Sequence, residues 1–300
     1  MEFRGYKRLA IDDRYKLIEY YGIANIEECN HNIINNYMWQ SSFPLWWKEE
    51  DNVLYLIGMH NDELFMYMPL CVKEKREAAI KHLLDEFKDE SYSLIYYTEE
   101  YKDIVLSLIP SLSVSEMEDS FDYIYEYDKI TTLSGKKLQK KRNHVNAFKK
   151  EYEGRYQYCT IDDCQLDACL KVLDKWEHTK EALQDDEYLH NEYLGIKFLL
   201  QNYHELPIKG GCVYIDGVIE AFALGSYGSN RMVQENVEKA DGNIRGLYPF
   251  LMSEFLKHEF KNEAIVYVNR EDDLGLEYLR KSKRSLYPAF LVKKYLIRKE

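Results

Sequence analysis

Apolar positions along the chain follow two alternating rhythms, the period of two of a half-buried strand and the 3–4 residue spacing of an amphipathic helix. Residues 53–57 and 64–68 flank His60-Asn61-Asp62-Glu63 and predict a hairpin. Residues 73–88 predict a helix with Ala79, Ile80, Leu83, Leu84 and Phe87 on one face. A strand over 93–97, a helix over 99–109 stopped by Pro110, and a strand over 121–127 complete the first half.

The second half repeats the theme. Helices are expected over 166–177 and 191–201, and 211–225 reads as a hairpin because Asp216-Gly217 divides two apolar runs and suits a two-residue turn. A strand over 231–239, a helix over 245–260, a strand over 264–269, a short helix over 274–281 and a strand over 289–297 follow. The succession is α/β (α+β) with mixed topology, in two halves divided as 1–128 and 129–300.

The second half opens on a basic connector helix expected over 134–152, with Ser134 as its cap and Gly154 as its stop. Leu138, Val145 and Phe148 share one stripe, and Lys141, Arg142 and Lys149 border it. Seven basic residues and no acidic one lie in 136–150, and Lys136 and Lys137 fall in the expected first turn, where the helix dipole disfavours cations. Two readings stand side by side: a solvated lysine-rich face, and a phosphate-binding surface. A second stretch, 278–299, carries eight basic residues and no acidic one.

Composition bounds what this pattern can mean. The chain has 300 residues, 46% of them hydrophobic, which is enough for a substantial core. Its net charge of −12 argues against general adhesion to polyanions, but the two basic stretches stand against a far more acidic remainder and present a local positive field. No apolar run approaches the roughly 20 residues of a membrane-spanning helix, and no apolar leader core follows the basic N-terminus, so a cytoplasmic protein is expected. Phe43-Pro44-Leu45-Trp46-Trp47 reads as core or lining rather than an interfacial anchor. The six cysteines, including Cys159, Cys164 and Cys169, match no metal-ligand spacing, so thiols and no metal site are expected.

The run from Leu133 through Phe148, preceded by Asp122-Tyr123-Ile124-Tyr125, resembles the central signature of the phosphatidylglycerol lysyltransferase C-terminal domain family. Gly210-Gly211, Glu238-Lys239-Ala240-Asp241 with Ile244-Arg245-Gly246, Asn269-Arg270-Glu271-Asp272-Asp273 and Leu279-Arg280-Lys281 extend that resemblance over nearly the whole chain. The resemblance implies two tandem GNAT-like acyltransferase folds with mixed central sheets sharing a cleft, and kinship to Fem-type aminoacyltransferases. It implies an acyltransferase that moves an aminoacyl group from aminoacyl-tRNA to an acceptor, a small molecule or a lipid headgroup. An acyl-CoA-dependent N-acetyltransferase and a non-catalytic binding module are the alternatives. No cofactor is required beyond the acyl donor, whether aminoacyl-tRNA, which is preferred, or acyl-CoA.

An aminoacyl ester is already activated, so the chemistry needs positioning, a donor to the developing oxyanion and a general base. Regular alternation along 231–239 puts Glu235 and Glu238 on opposite faces, so one of them is expected in the cleft, and Glu238, at the strand end, is preferred. Tyr287 is the candidate general acid. Lys136, Lys137, Lys140, Lys141, Arg142 and His144 are the candidate donor-binding residues of the basic helix. Asn243, Arg245 and Gly246, at a helix start, and Asn269 and Arg270, at a strand end, are expected to bind the donor as well. Only Gly242 and Gly246 stand where acyl-CoA-dependent relatives carry a glycine-rich cradle.

Overall fold

A computed structural model describes residues 4–181 and 187–299. It contains fourteen strands: β1 (Lys7–Arg8), β2 (Leu45–Glu50), β3 (Val53–His60), β4 (Glu63–Met66), β5 (Tyr92–Tyr97), β6 (Ser113–Glu116), β7 (Asp122–Glu126), β8 (Tyr156–Thr160), β9 (Lys209–Ile215), β10 (Val218–Ser229), β11 (Met232–Ala240), β12 (Tyr267–Asn269), β13 (Phe290–Val292) and β14 (Tyr295–Lys299). The helices are α1 (Arg14–Ala24), α2 (Ile33–Met38), α3 (Arg76–Glu86), α4 (Glu99–Leu108), α5 (Tyr127–Thr132), α6 (Gln139–Glu151), α7 (Asp163–Glu181), α8 (Glu187–Gln201), α9 (Leu247–Glu259) and α10 (Glu277–Arg284). The chain is thus mixed α/β, as expected, with two seven-stranded mixed sheets. Among the described residues no helix is long and apolar enough to cross a membrane.

The chain forms two compact units, one made of Met1–Asp122, Asp272–Arg280 and Leu291–Glu300, the other of Tyr123–Glu271 and Lys281–Phe290. The first unit carries the sheet ordered β1-β2-β3-β4-β5-β14-β6. Its β3–β4 hairpin closes on Asn61 and Asp62, both in the left-handed region, so that His60 faces Glu63. The predicted apolar face of α3 is buried through Ala79, Ile80, Leu83 and Leu84. Trp47 is buried in this unit and donates through Nε1 to Asp13 at 2.9 Å.

The second unit carries the sheet ordered β13-β7-β12-β11-β10-β9-β8. The β9–β10 hairpin turns on Asp216 and Gly217, with φ of 51° and 82°, the primed turn that matches strand twist. Val145 and Phe148 of α6 join Leu247, Phe250 and Leu251 of α9 in one core, so the expected apolar stripe of the basic helix is its packed face.

Three features depart from the sequence reading. The basic helix begins at Gln139 rather than at Ser134, because Leu133 and Gly135 take φ of 51° and 87° and end the preceding helix instead of starting a new one. Lys136 and Lys137 therefore precede the helix instead of occupying its first turn. The strand expected over 289–297 is two strands in different sheets, broken at Lys293-Lys294, and Lys294 is wholly buried. As a result the units are not the contiguous pieces 1–128 and 129–300: β14 pairs with β5 on one edge and β6 on the other, which returns the chain's end to the first unit.

Candidate functional site

The site of the second unit begins with an irregularity in β11. Opposite β10, Leu224 pairs with Val237 and Gly225 with Glu235, so the register steps over Asn236 as one extra residue in β11. Such a bulge shifts side-chain alternation by one position. Glu235 and Glu238, three apart, would face opposite ways in a regular strand, yet both reach the same guanidinium. The expectation that only one enters the site is corrected by this bulge. Gly225 permits it, since a Cβ there would lie 2.7 Å from the Gln234 carbonyl oxygen.

β12 runs beside β11 only from Met232 opposite Tyr267 to Gln234 opposite Asn269, while β11 continues to Ala240. At the end of β12 the Asn269 side chain accepts the Glu271 amide at 2.7 Å, and Glu271 itself takes φ of 58°. This turn sends the consecutive Arg270 and Glu271 to different partners. Arg270 Nε donates to Glu235 Oε2 and Nη2 donates to Glu238 Oε2 at 2.5 Å. Glu271 Oε1 accepts Gln234 Nε2 at 2.7 Å and Asn236 Nδ2 at 3.4 Å.

The electrostatics follow from burial. Glu235 and Glu238 side chains are only 2% and 14% exposed, and Glu235 Oε1 and Glu238 Oε1 accept no hydrogen bond among the described residues. Burial and the neighbouring Glu235 charge push the Glu238 carboxyl up to about 8, against the opposing pull of Arg270. The Arg270 guanidinium is raised by Glu235 and Glu238 despite its burial. Tyr248, near Glu238, is pushed up to about 12, first by burial.

Lys141, on the first turn of α6, is half-buried and has no hydrogen bond or ion pair among the described residues. Burial and then the Arg270 charge pull its ammonium below the usual range, with Glu238 acting the other way. His144, one turn on, is lowered by burial and then by Arg245, Lys140 and Lys141. Lys140 and Arg245 are exposed. Lys140, Lys141 and Arg245 form a positive surface that makes no ion pair among the described residues, unlike Lys149, which lies 3.7 Å from Glu254.

Other sequence candidates have structural occupations. Arg142 Nη1 donates to the carbonyls of Leu133 and Gly135, the latter at 2.7 Å, capping the end of α5. Gly246 is the cap of α9 at φ of 86°, and a Cβ there would lie 2.3 Å from the His144 carbonyl oxygen, so helix packing accounts for it. The Asn243 amide donates to Asp241 in a turn, and Asn269 shapes the Arg270 turn. Lys136 and Lys137 are exposed, with Lys137 Nζ 5.2 Å above the Tyr287 ring. Tyr287 is 51% exposed and its hydroxyl makes no hydrogen bond with Glu235, Glu238 or Arg270. Gln234, Asn236 and Glu271 were missed as partners of the site. Their signal was present as Gln234-Glu235-Asn236, three successive polar residues in a strand that should alternate.

In the first unit, Glu28, Cys29 and Asp122 are buried with ligand atoms within 4.8 Å of one another, a grouping that sequence spacing did not suggest. Lys294 Nζ fills the position a cation would take, at 2.6 Å from Asp122, 3.1 Å from Glu28 and 3.2 Å from Cys29 Sγ. Asp122 and Glu28 hold the ammonium above its usual range against burial.

An uncharacterized protein of Mycoplasmoides gallisepticum is 35% identical over 184 residues, 60% of this chain and 57% of that protein, so the match spans little more than half the relative's length. A crystal structure of a conserved protein of unknown function from Bacteroides thetaiotaomicron superposes with a TM-score of 0.90 at 26% identity, covering 98% of this chain and 99% of that one. Two structures below 15% identity share the fold. They are the C-terminal domain of a putative lysylphosphatidylglycerol synthetase from Agrobacterium fabrum (TM-score 0.66, 11% identity, 97% and 91% covered) and FemX (0.63, 8%, 97% and 96%). Residues 23–298 match the family described as phosphatidylglycerol lysyltransferase, C-terminal, and the chain belongs to that family.

Proposed function

We propose that the second unit transfers an acyl group, carried as an aminoacyl ester on tRNA, to an acceptor nucleophile. The observation that carries this reading is the Glu235–Arg270–Glu238 group at the open end of β11, beside the half-buried, unpaired Lys141. Glu238, with its affinity for protons raised toward neutrality, takes the acceptor's proton and returns it to the leaving oxygen. Lys141 stabilises the oxyanion that develops on the acyl carbonyl. Lys140, His144 and Arg245 lie along the phosphates of the donor, with Lys136 and Lys137 extending that path. The family name describes lysyl transfer, which agrees with an aminoacyl donor and with reaction in the compartment that holds charged tRNA.

The test is incubation with tRNA charged with radiolabelled amino acids, following loss of the ester bond. Loss above the spontaneous rate, abolished in Glu238→Gln, is expected. An unchanged rate for charged tRNA together with turnover of acetyl-CoA would replace the donor with acyl-CoA, and turnover of neither would leave a binding module.

A further inference from the structure

Cys29 and Lys294 are distant in the chain and meet inside the first unit, where Lys294 Nζ donates to Cys29 Sγ at 3.2 Å. The Lys294 side chain is wholly buried and Cys29 is 1% exposed. The same ammonium donates to Asn30 Oδ1 at 2.6 Å and pairs with Asp122, with Glu28 and, at 3.9 Å, with Asp272. The Cys29 amide donates to Asp122 at 2.7 Å, so the carboxylate that holds the ammonium also fixes the residue that carries the thiol. Among the described residues no other cysteine sulfur accepts a hydrogen bond from a lysine.

That contact carries chemistry as well as charge. The thiolate is the form that peroxide attacks, and a neighbouring ammonium stabilises it. Cys71, Cys159, Cys169 and Cys212 lack such a contact, and burial pushes each of their thiols up, which makes them slow. Asn30, whose Oδ1 lies 3.6 Å from the Cys29 sulfur, is only half-buried, which leaves a small uncharged oxidant one side chain to pass.

We propose that under hydrogen peroxide Cys29 and Lys294 join through a reversible sulfur–oxygen–nitrogen bridge, a redox switch of the first unit. It stands independently of the acyl-transfer reading. The first equivalent of peroxide takes the thiol to a sulfenic acid, R–SH plus H2O2 giving R–SOH and H2O. The second joins it to the lysine, R–SOH plus R′–NH3+ plus H2O2 giving R–S–O–NH–R′, two H2O and H+. In that step the S–O bond stays, the O–N bond forms, the peroxide O–O bond breaks, and nitrogen loses two electrons to peroxide. Asp122, 2.6 Å from Nζ, takes the released proton. One oxygen atom between Sγ and Nζ suits their 3.2 Å separation, whereas a direct S–N bond would have to draw the two atoms much closer.

The bridged nitrogen carries no positive charge. Asp122 loses its counter-ion and Glu28 keeps only His31, and a buried carboxylate left without its partner destabilises the fold. Oxidation therefore loosens the first unit. Two equivalents of dithiothreitol and one H+ reverse it, giving R–SH, R′–NH3+, H2O and two cyclic disulfides.

Two measurements on the full chain test this. In the first, protein treated with hydrogen peroxide has its remaining thiols alkylated and is digested, and the peptides are read by mass spectrometry with and without dithiothreitol. The Cys29 and Lys294 peptides are expected joined, heavier than their sum by one oxygen less two hydrogens, and separate again after reduction. Cys29→Ser and Lys294→Arg should each abolish the joined peptide, and Cys164→Ser, which removes an exposed thiol of the second unit, should leave it in place. Circular dichroism verifies that each variant is folded, and the wild-type peptide map decides the matter even where Lys294→Arg does not fold. In the second, the urea midpoint of the wild type should fall after peroxide and return after dithiothreitol, with no such shift in Cys29→Ser. Undiminished alkylation of Cys29, a sulfinic or sulfonic acid there with Lys294 free, or a disulfide from Cys29 to another cysteine overturns the inference. So does a link that lacks the oxygen, a joined peptide that persists in Lys294→Arg, or a bridged protein with an unchanged midpoint.

Discussion

Lys294 Nζ lies 2.6 Å from Asp122 Oδ1, and both side chains are wholly buried. With Glu28 at 3.1 Å, this ammonium joins the chain's last strand to segments far earlier in the sequence. Removing it would leave Asp122 without its counter-ion and Glu28 with His31 alone, and a broken buried pair costs about 3–5 kcal/mol. Lys294→Met is expected to lower the unfolding free energy by an amount on that scale at neutral pH. The loss should shrink in acid as the orphaned carboxyls take up protons. Urea unfolding followed by circular dichroism across pH checks both statements.

Glu238 makes stability depend on pH with the opposite sign to most carboxylates. Its ordinary value is 4.5 and the folded protein raises it to about 8, so the native state holds the proton more tightly. That contribution is complete below about pH 4.5 and is lost as pH rises through about 8. The melting temperature should carry a falling component over that window, which Glu238→Gln removes. Turnover, if Glu238 is the proton acceptor, should rise over the same window.

Gly246 combines a left-handed φ of 86° with a 2.3 Å approach of a notional Cβ to the His144 carbonyl. Left-handed backbone costs an L-residue roughly 1–2 kcal/mol and overpacking typically about 1–3. Gly246→Ala should therefore destabilise the second unit by about 2–5 kcal/mol. Gly242→Ala, in the same turn but with nothing near its notional Cβ, should be close to neutral. Paired denaturation curves would separate packing from donor binding as the reason for Gly246.

The positive surface on α6 predicts a salt-dependent association. If Lys140 and Arg245 contact tRNA phosphates, a plot of log affinity against log salt should be steep, and Lys140→Ala or Arg245→Ala should each reduce the slope by about 0.7–0.9. Lys149→Ala, whose ammonium already lies 3.7 Å from Glu254, should change the slope less. Filter binding over a salt series reads these slopes directly.

The element succession was largely legible before any coordinates, because local pattern carries it. Asp216-Gly217 named its turn, the 73–88 stripe named its buried face, and Val145 and Phe148 of α6 are packed in the core together with Leu138 at its N-cap. The basic helix was read five residues too early, since Leu133 adopting a left-handed φ is a choice that leucine itself does not announce. Glu235, Glu238 and Arg270 were each legible as candidates, but their union was not.

Periodicity, turn chemistry and charge segregation are local properties, and the sequence by itself determined them: two mixed α/β stretches, a basic connector and the carboxylates of one strand. Tertiary structure decided what depends on partners distant in the chain. It placed one extra residue in β11 against β10, which turned Glu235 and Glu238 to one guanidinium. It also divided the last predicted strand between two sheets, because a buried lysine needed the carboxylates of Glu28 and Asp122, and no local pattern records where those lie.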